Sequence, residues 1–315
     1  MYSRISTVKY TRHCCAEPAE RLREALAGAD AVLVGAGSGL SAAAGLVYSG
    51  PRFERNFADF IAKYGFTDMY SAAFHRYPSL EEHWAYWSRH ICLNRYDRPV
   101  GAPYRDLLAA VRGRDHFVLT TNVDHLFADA GFEADRLFPT QGDYGLWQCS
   151  RPCHDMTYGN ETAVRRMAAS QREMRVPQAL VPRCPRCGAP LAMNLRVDGS
   201  FVEDAAWHAA KGRYLAFPRR TEGLRVVFLE LGVGGNTPGI ITVSYTHLAD
   251  PGEQTKAVYE VPHGGDDGKR RRAVRSLILP DHRHVRYPCL LYTSFIIPPG
   301  QTQGGRSTAA RCAAA

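Results

Sequence analysis

The sequence predicts an α/β fold in which a doubly wound, parallel, Rossmann-like sheet carries a smaller zinc-binding and helical module. Three apolar runs, 31–34, 116–120 and 225–231, each stop in a segment rich in Gly, Thr or Asn. Continuous apolar runs of this length are typical of parallel strands that are buried on both faces. Segments with helical spacing separate the runs, and this alternation indicates an α/β architecture. Four cysteines in two close pairs indicate a separate metal-binding module.

Length and composition narrow the classes of protein that the chain can be. Its 315 residues are 45% hydrophobic and 22% charged, which is ordinary for a globular enzyme. No run of eighteen apolar residues occurs, which argues against a membrane span. The N-terminus lacks the apolar region of a secretory signal, so we expect a cytoplasmic protein. Residues 243–315 carry ten basic and six acidic residues, half of the net charge of +8, so the charge is weak evidence for a nucleic-acid partner.

Periodicity and end signals predict the individual elements. The first helix has Pro18 near its start and Gly28 near its end, as amphipathic helices often do. Residues 57–97 are rich in aromatic residues with helical spacing, which predicts an aromatic-packed helical module. We predict, in chain order, a helix over 17–29, a strand over 31–34, the aromatic module, a helix over 103–113, a strand over 116–120, a helix over 162–172 and a strand over 225–231.

Loops rich in glycine and small polar residues follow the three predicted strands. Glycines at 35, 37 and 39 let backbone N–H groups approach a pyrophosphate, while Asn122 and Asp124 follow the second strand. Ligands of such sheets bind at the carboxyl ends of the strands, where all three loops lie, so a dinucleotide site is predicted. Two alternatives stay open, because glycine turns after strands are common and because Asn and Asp also cap helices.

The four paired cysteines predict a structural zinc site. Cys149 and Cys153 are separated by three residues, and Cys184 and Cys187 by two, about thirty residues later. Two such turns can close a tetrahedral all-sulfur shell, which leaves no open position for catalysis. A disulfide framework is the alternative, and the expected cytoplasmic location disfavours it.

These motifs, in this order, resemble the sirtuin family, and the residues within them are similar to those of its macrodomain-linked class M. The resemblance covers residues 17–242. It is carried by Gly39-Leu-Ser-Ala-Ala-Ala-Gly45, Thr120-Thr-Asn-Val-Asp124, Gln141-Gly-Asp-Tyr-Gly145, the four cysteines, Met193-Asn-Leu-Arg196, Phe201-Val-Glu-Asp204 and Leu229-Glu-Leu-Gly-Val-Gly-Gly-Asn-Thr-Pro238.

The resemblance implies one sirtuin-type catalytic domain that uses NAD as co-substrate and binds structural zinc. Its Rossmann-like parts would be about 17–50, 100–145 and 220–242, with a helical module at about 51–99 and a zinc module at about 146–200. By the same resemblance, Asn122 would lie beside the nicotinamide ribose and Asp124 would hold the nicotinamide carboxamide. The phosphates and the adenosine side would be contacted by Gly37, Gly39, Ser41, Gly232, Asn236 and Thr237, with Arg52 in place of the family's usual arginine element.

Gln141 departs from the family pattern, and this departure changes the reaction that we expect. Deacylating sirtuins place a histidine there, which acts as general base on a ribose hydroxyl, whereas a glutamine amide does not titrate near neutral pH. We therefore expect mono-ADP-ribosyl transfer to a protein carboxylate, which needs no base. Similarity to class M further implies a lipoylated, glycine-cleavage H-like carrier as acceptor. The alternatives are an NAD-dependent protein-lysine deacylase and a non-catalytic zinc-ribbon protein that binds partners or nucleic acid.

The tail, residues 243–315, does not match the family and is expected to be disordered or an assembly artefact. Val243–Leu248 and Cys289–Ser294 resemble translated adapter or out-of-frame DNA. Lys269–Arg272 could instead bind nucleic acid, but four adjacent charges without aromatic neighbours usually mark a solvated stretch. Arg196 is a further candidate for contact with the acceptor or ADP-ribose, although an exposed arginine without such a role is the simpler interpretation.

Overall fold

The computed structural model describes residues 16–233, 256–258 and 290–292, with side chains over 20–233. The strands are β1 (Ala31–Ala36), β2 (Asp115–Thr120), β3 (Leu137–Pro139), β4 (Gly142–Cys149), β5 (Tyr158–Gly159), β6 (Leu191–Leu195), β7 (Val226–Leu231), β8 (Lys256–Val258) and β9 (Leu290–Tyr292). The helices are α1 (Ala16–Gly28), α2 (Ser38–Ala43), α3 (Pro51–Tyr64), α4 (Met69–Ala73), α5 (Leu80–Ile91), α6 (Ala102–Val111), α7 (Leu126–Asp129), α8 (Glu161–Ser170) and α9 (Ala205–Arg220).

Four parallel strands form the central sheet in the order β3-β2-β1-β7. Alternate residues of β1 face two different cores. Val32 and Val34 pack with α1, α6 and α7, while Ala31 and Leu33 pack with α9. Helices therefore cover both faces, which explains why the strands are continuous apolar runs. The predicted doubly wound α/β fold is confirmed.

The helical and zinc modules share one apolar core. The rings of Trp84 on α5 and Trp147 on β4 lie 5.1 Å apart, and the buried Phe57 and Val164 belong to the same cluster as the buried cysteine Cys149. The antiparallel sheet β5-β4-β6 forms the base of this unit. The two modules, predicted as separate stretches of sequence, therefore pack as one unit.

One boundary between the predicted parts of the domain differs from the structure. The Rossmann-like part was expected to extend to residue 145, but β4 begins at Gly142 and pairs with β6 in the zinc-module sheet. Gly142 has a φ of 93°, and a Cβ there would lie 1.9 Å from the carbonyl oxygen of Asn194. Only glycine permits this left-handed turn and close approach, so the chain changes sheets directly after Gln141.

Within the tail, the structure describes only the parallel pair of β8 and β9. The other predictions for residues 243–315 lie outside the described residues. Among the described helices, none has both the length and the apolarity needed to cross a membrane.

Candidate active site

Glycines bring the ends of β1 and β7 into direct contact. The N–H of Gly37 donates to the carbonyl of Leu231 at 2.9 Å, and the N–H of Gly39 donates to that of Gly232 at 2.8 Å. A Cβ on Gly232 would lie 2.1 Å from the nitrogen of Leu40, and its φ is 64°. Glycine is therefore required for the packing of the two loops. The phosphate contacts expected of Gly37, Gly39 and Gly232 stay predictions.

A chain of hydrogen bonds joins the ends of β1 and β2 inside the protein. The Asn122 amide donates to the carbonyl of Gly37 at 3.0 Å and to the Tyr104 hydroxyl at 3.2 Å. The Ser41 hydroxyl donates to the Asp124 carboxylate at 2.5 Å and lies 2.9 Å from the Tyr104 hydroxyl. Because Ser41 donates to Asp124, Tyr104 must donate to Ser41. The bonds thus run in one direction from Asn122 to Asp124, and all four side chains are buried.

The Asp124 carboxylate is held in place on both of its oxygens. One oxygen accepts the hydrogen bond from Ser41, and the other accepts the N–H of Leu126 at the start of α7. Burial raises the pKa of Asp124 above its ordinary value, although the hydrogen bond from Ser41 partly opposes this shift. Helix capping therefore accounts for the hydrogen bond at one of the two oxygens of Asp124. It does not account for the hydrogen bond that the other oxygen accepts from Ser41.

Gln141 lies in the turn that runs beside the end of β2. The N–H of Thr140 donates to the carbonyl of Thr120 at 2.9 Å, and the N–H of Tyr144 donates to that of Val123 at 2.8 Å. Gln141 is located between these two backbone contacts and thus next to the Asn122–Asp124 segment. Its side chain is half-buried and forms no hydrogen bond with the described residues. The contact with the ribose expected of Gln141 stays a prediction.

Arg52 is bound within the helical module. Its guanidinium donates to the carbonyl of Leu93 at 2.8 Å, to the side chain of Asn94 at 2.9 Å and to the carbonyl of Val47 at 3.2 Å. Burial lowers the pKa of Arg52. These bonds fix the loop that follows α2, and the expected contact with NAD stays a prediction.

Three tyrosines at this site were not predicted from the sequence. Tyr104 is fully buried in the middle of the hydrogen-bonded chain. The hydroxyls of Tyr48 and Tyr144 lie 2.8 Å apart, and burial raises the pKa of Tyr48 to about 12. The available signal for Tyr104 was weak, because an aromatic residue in the first turn of a helix is usually part of the core.

Arg196 meets Gln141 through the backbone only. Its N–H donates to the carbonyl of Gln141 at 3.0 Å. Its guanidinium pairs with Glu203 and lies 4.6 Å from the ring centre of Phe201 and 5.1 Å from that of Trp207. The charge of Arg196 is thus engaged on the protein surface. Asn236 and Thr237 lie outside the described residues.

The four cysteines come together as the spacing predicts. Their sulfur atoms all lie within 4.8 Å of one another, with 3.5 Å between Cys149 and Cys187 and 3.7 Å between Cys153 and Cys184. A tetrahedral zinc with Zn–S bonds of about 2.3 Å requires sulfur atoms about 3.8 Å apart. All four are free thiols, which contradicts the disulfide alternative. The donor set and its spacing fit a structural zinc ion.

Two relatives align with most of this chain. A protein ADP-ribosyltransferase from Staphylococcus aureus (strain Mu50 / ATCC 700699) is 40% identical over 252 residues, which are 78% of this chain and 80% of the relative. A probable bifunctional ADP-ribose hydrolase/ADP-ribosyltransferase from Fusarium oxysporum f. sp. cubense is 36% identical over 232 residues. This match covers 70% of the chain and 38% of the relative, so the chain spans less than half of that longer protein.

The solved structures that match the chain are more distant in sequence. A complex of a mutant Sir2 homologue with 2′-O-acetyl-ADP-ribose is 15% identical, with a TM-score of 0.44 over 72% of this chain and 81% of that one. A Sir2 homologue in complex with NAD is 16% identical, with a TM-score of 0.42 over 67% of this chain and 72% of that one. No protein-family model matches the chain.

Proposed function

The chain belongs to the sirtuin-type protein ADP-ribosyltransferases, and from that premise we propose that it transfers one ADP-ribosyl group from NAD to a carboxylate of a protein acceptor. The observation that carries the proposal is Gln141, a residue without acid–base function beside the buried Asn122–Asp124 segment. Transfer to a hydroxyl, or deacylation through attack by a ribose hydroxyl, would need a base at that position. Transfer to a carboxylate does not.

The proposed reaction balances without a proton transfer. The bond between C1′ of the nicotinamide ribose and the pyridinium nitrogen breaks, and nicotinamide leaves as a neutral molecule with the bonding electrons. A new bond forms between C1′ and an oxygen of an Asp or Glu side chain. That oxygen is already ionised at neutral pH, because the ordinary pKa of these carboxyls is near 4.

The protein side chains would position the two partners of this reaction. Asn122 uses both amide hydrogens on Gly37 and Tyr104, so its side-chain oxygen is the group available to the ribose. Asp124, fixed by Ser41, would accept the carboxamide N–H of nicotinamide and orient the leaving group. Gln141 would hydrogen-bond the ribose hydroxyls without removing their protons. Zinc at the four cysteines would stabilise the adjoining module and take no part in the chemistry.

The identity of the acceptor protein is a more specific proposal. We infer a lipoylated, glycine-cleavage H-like carrier, and the support for this choice is the resemblance to macrodomain-linked sirtuins. The contacts of the candidate site support a carboxylate as nucleophile and do not by themselves select the protein that carries it.

Intact-mass spectrometry tests both levels of the proposal. The chain is incubated with NAD, the lipoylated carrier and an acetyl-lysine peptide in one reaction. We expect the carrier to gain the mass of one ADP-ribosyl group, the adduct to be cleaved by neutral hydroxylamine as an ester is, and the peptide to keep its acetyl group. Loss of the acetyl group with release of O-acetyl-ADP-ribose would instead identify a deacylase. Release of nicotinamide with an unmodified carrier would reject this acceptor while retaining NAD cleavage.

A further inference from the structure

His125, directly after the Asn122–Asp124 segment, has an unusual backbone conformation. Its φ is 68°, in the left-handed region that few residues other than glycine adopt. Among the described residues, only Glu173 and Met174 share this feature without being glycine, and both lie in the hairpin closed by Arg172 and Arg175, where Glu173 is exposed. A conformation of this kind persists only where the surrounding structure imposes it.

The side chain of His125 is bound to a carboxylate that other groups hold in place. Its Nδ1 lies 2.5 Å from a carboxylate oxygen of Asp143, two residues after Gln141. Asp143 is itself fixed, because its other oxygen accepts hydrogen bonds from Arg95 at 2.9 Å and from the N–H of Gly145 at 2.6 Å. Burial raises the pKa of Asp143, but its hydrogen bond and charge interaction with His125, together with Arg95, outweigh burial, so the net pKa lies below its ordinary value. The carboxylate is therefore an ionised, rigid anchor.

The anchor connects two segments of the candidate site. The end of β2 and the segment that follows it already meet the Gln141 turn at two backbone bonds, from Thr140 to Thr120 and from Tyr144 to Val123. The bond between His125 and Asp143 adds a third connection, at the point where the chain turns into α7. The left-handed turn at His125 also places the N–H of Leu126 against the Asp124 carboxylate.

We propose that His125 is a positioning residue, whose bond to Asp143 holds Asn122 and Asp124 in register with Gln141. The inference rests on the proposed function, since it concerns the geometry of the same NAD site. His125 does not contact the substrate in this scheme. It acts by keeping the nicotinamide-binding and ribose-binding side chains at a fixed separation, which matters because displacements of about 1 Å can lower a rate about a hundredfold.

Substitution by glycine separates positioning from a purely structural role. Glycine adopts the left-handed conformation freely, so His125→Gly removes the anchor while relieving the backbone. We expect kcat for NAD cleavage, measured as nicotinamide release, to fall about tenfold or more, with a thermal midpoint that is unchanged or higher. His125→Asn should retain more activity than His125→Gly, because asparagine tolerates the same conformation and keeps a donor. Glu173→Gly is the matched control and should leave kcat unchanged.

The possible outcomes separate this inference from the proposed function. If the unsubstituted chain releases nicotinamide and His125→Gly does so at the same kcat, His125 is not a positioning residue. A lower kcat that matches a lower folded fraction also contradicts the inference, since it would show a structural role alone. An unsubstituted chain that releases no nicotinamide in the presence of NAD and acceptor overturns the proposed function, and this inference with it.

Discussion

The edge of the parallel sheet and the joined helical and zinc modules hold their functional residues by different means. At the sheet edge, Ser41, Tyr104, Asn122 and Asp124 form a buried hydrogen-bonded chain on a frame of touching loops. In the joined modules, an aromatic core and a four-cysteine cluster provide the order. Close backbone contacts and buried hydrogen bonds therefore hold the first region, and an apolar core together with a metal-binding cluster holds the second. The two regions should respond differently to substitution.

Loss of a zinc ligand should have the largest effect. Cys184→Ser removes one thiolate from the cluster, and we expect loss of bound zinc and a fall in stability on the order of 5 kcal/mol or more, because the free energy of zinc binding also stabilises the fold. Hydrogen exchange should accelerate in residues 142–200 before it does so in the parallel strands. Zinc content and exchange mass spectrometry measure these changes. Cys92→Ala, a buried thiol outside the cluster, is the control and should retain zinc. Simultaneous exchange in both regions would show that they are not distinct.

The next largest effect tests the sheet edge. Gly232→Ala places a Cβ 2.1 Å from a backbone nitrogen in a left-handed conformation, so the two loops must separate. We expect a loss of about 3 kcal/mol of unfolding free energy, from strain and overpacking together, and weaker NAD binding with zinc fully retained. Urea unfolding and calorimetry measure these quantities. Gly159→Ala, which meets no atom within 4 Å, is the control. Equal stability of the two variants would contradict the close approach of the loops.

The strand ends were predictable from the sequence and the side-chain pairings of the site were not, because the first depend on local patterns and the second on distant partners. Apolar runs, glycine loops and close cysteine pairs are local patterns, so the fold class, the family and the cysteine cluster predicted from the sequence are confirmed. Tyr104 and His125 act through partners 63 and 18 residues away in sequence, at Ser41 and Asp143. No periodicity shows such pairings. The roles assigned to the site residues stay predictions.

A smaller effect is expected in the pH dependence of folding stability, through Asp124 at the sheet edge. The native pKa of Asp124 is raised above its ordinary value of 3.8, so its contribution to stability is fully present below about pH 3.8 and is lost as the pH rises through the native pKa. Asp124→Asn removes this penalty. We therefore expect the variant to gain stability relative to the unsubstituted chain as the pH rises, by about 1 kcal/mol at neutral pH, as is typical when a functional group is replaced, while NAD cleavage is lost.

Urea unfolding between pH 4 and 8 measures this difference in stability. Asp198→Asn is a suitable control, because the Ser200 side chain and backbone lower the pKa of the exposed Asp198, so any pH dependence should have the opposite sign. A difference between Asp124→Asn and the unsubstituted chain that shrinks as the pH rises would show that the carboxylate is stabilised in place and would contradict the burial argument.

The smallest effect is expected at the ion pair between the two joined modules. Arg165 on α8 bonds Asp97, after α5, at 2.6 Å, but both side chains are about half exposed. Exposed pairs contribute little, because solvent screens their attraction and their side chains lose rotamer freedom. We expect Asp97→Asn to change the unfolding free energy by less than about 0.5 kcal/mol. Val164→Ala on the same helix removes buried contacts and should cost about 2 kcal/mol. If urea unfolding gave the reverse order, charge rather than the shared apolar core would hold the modules together.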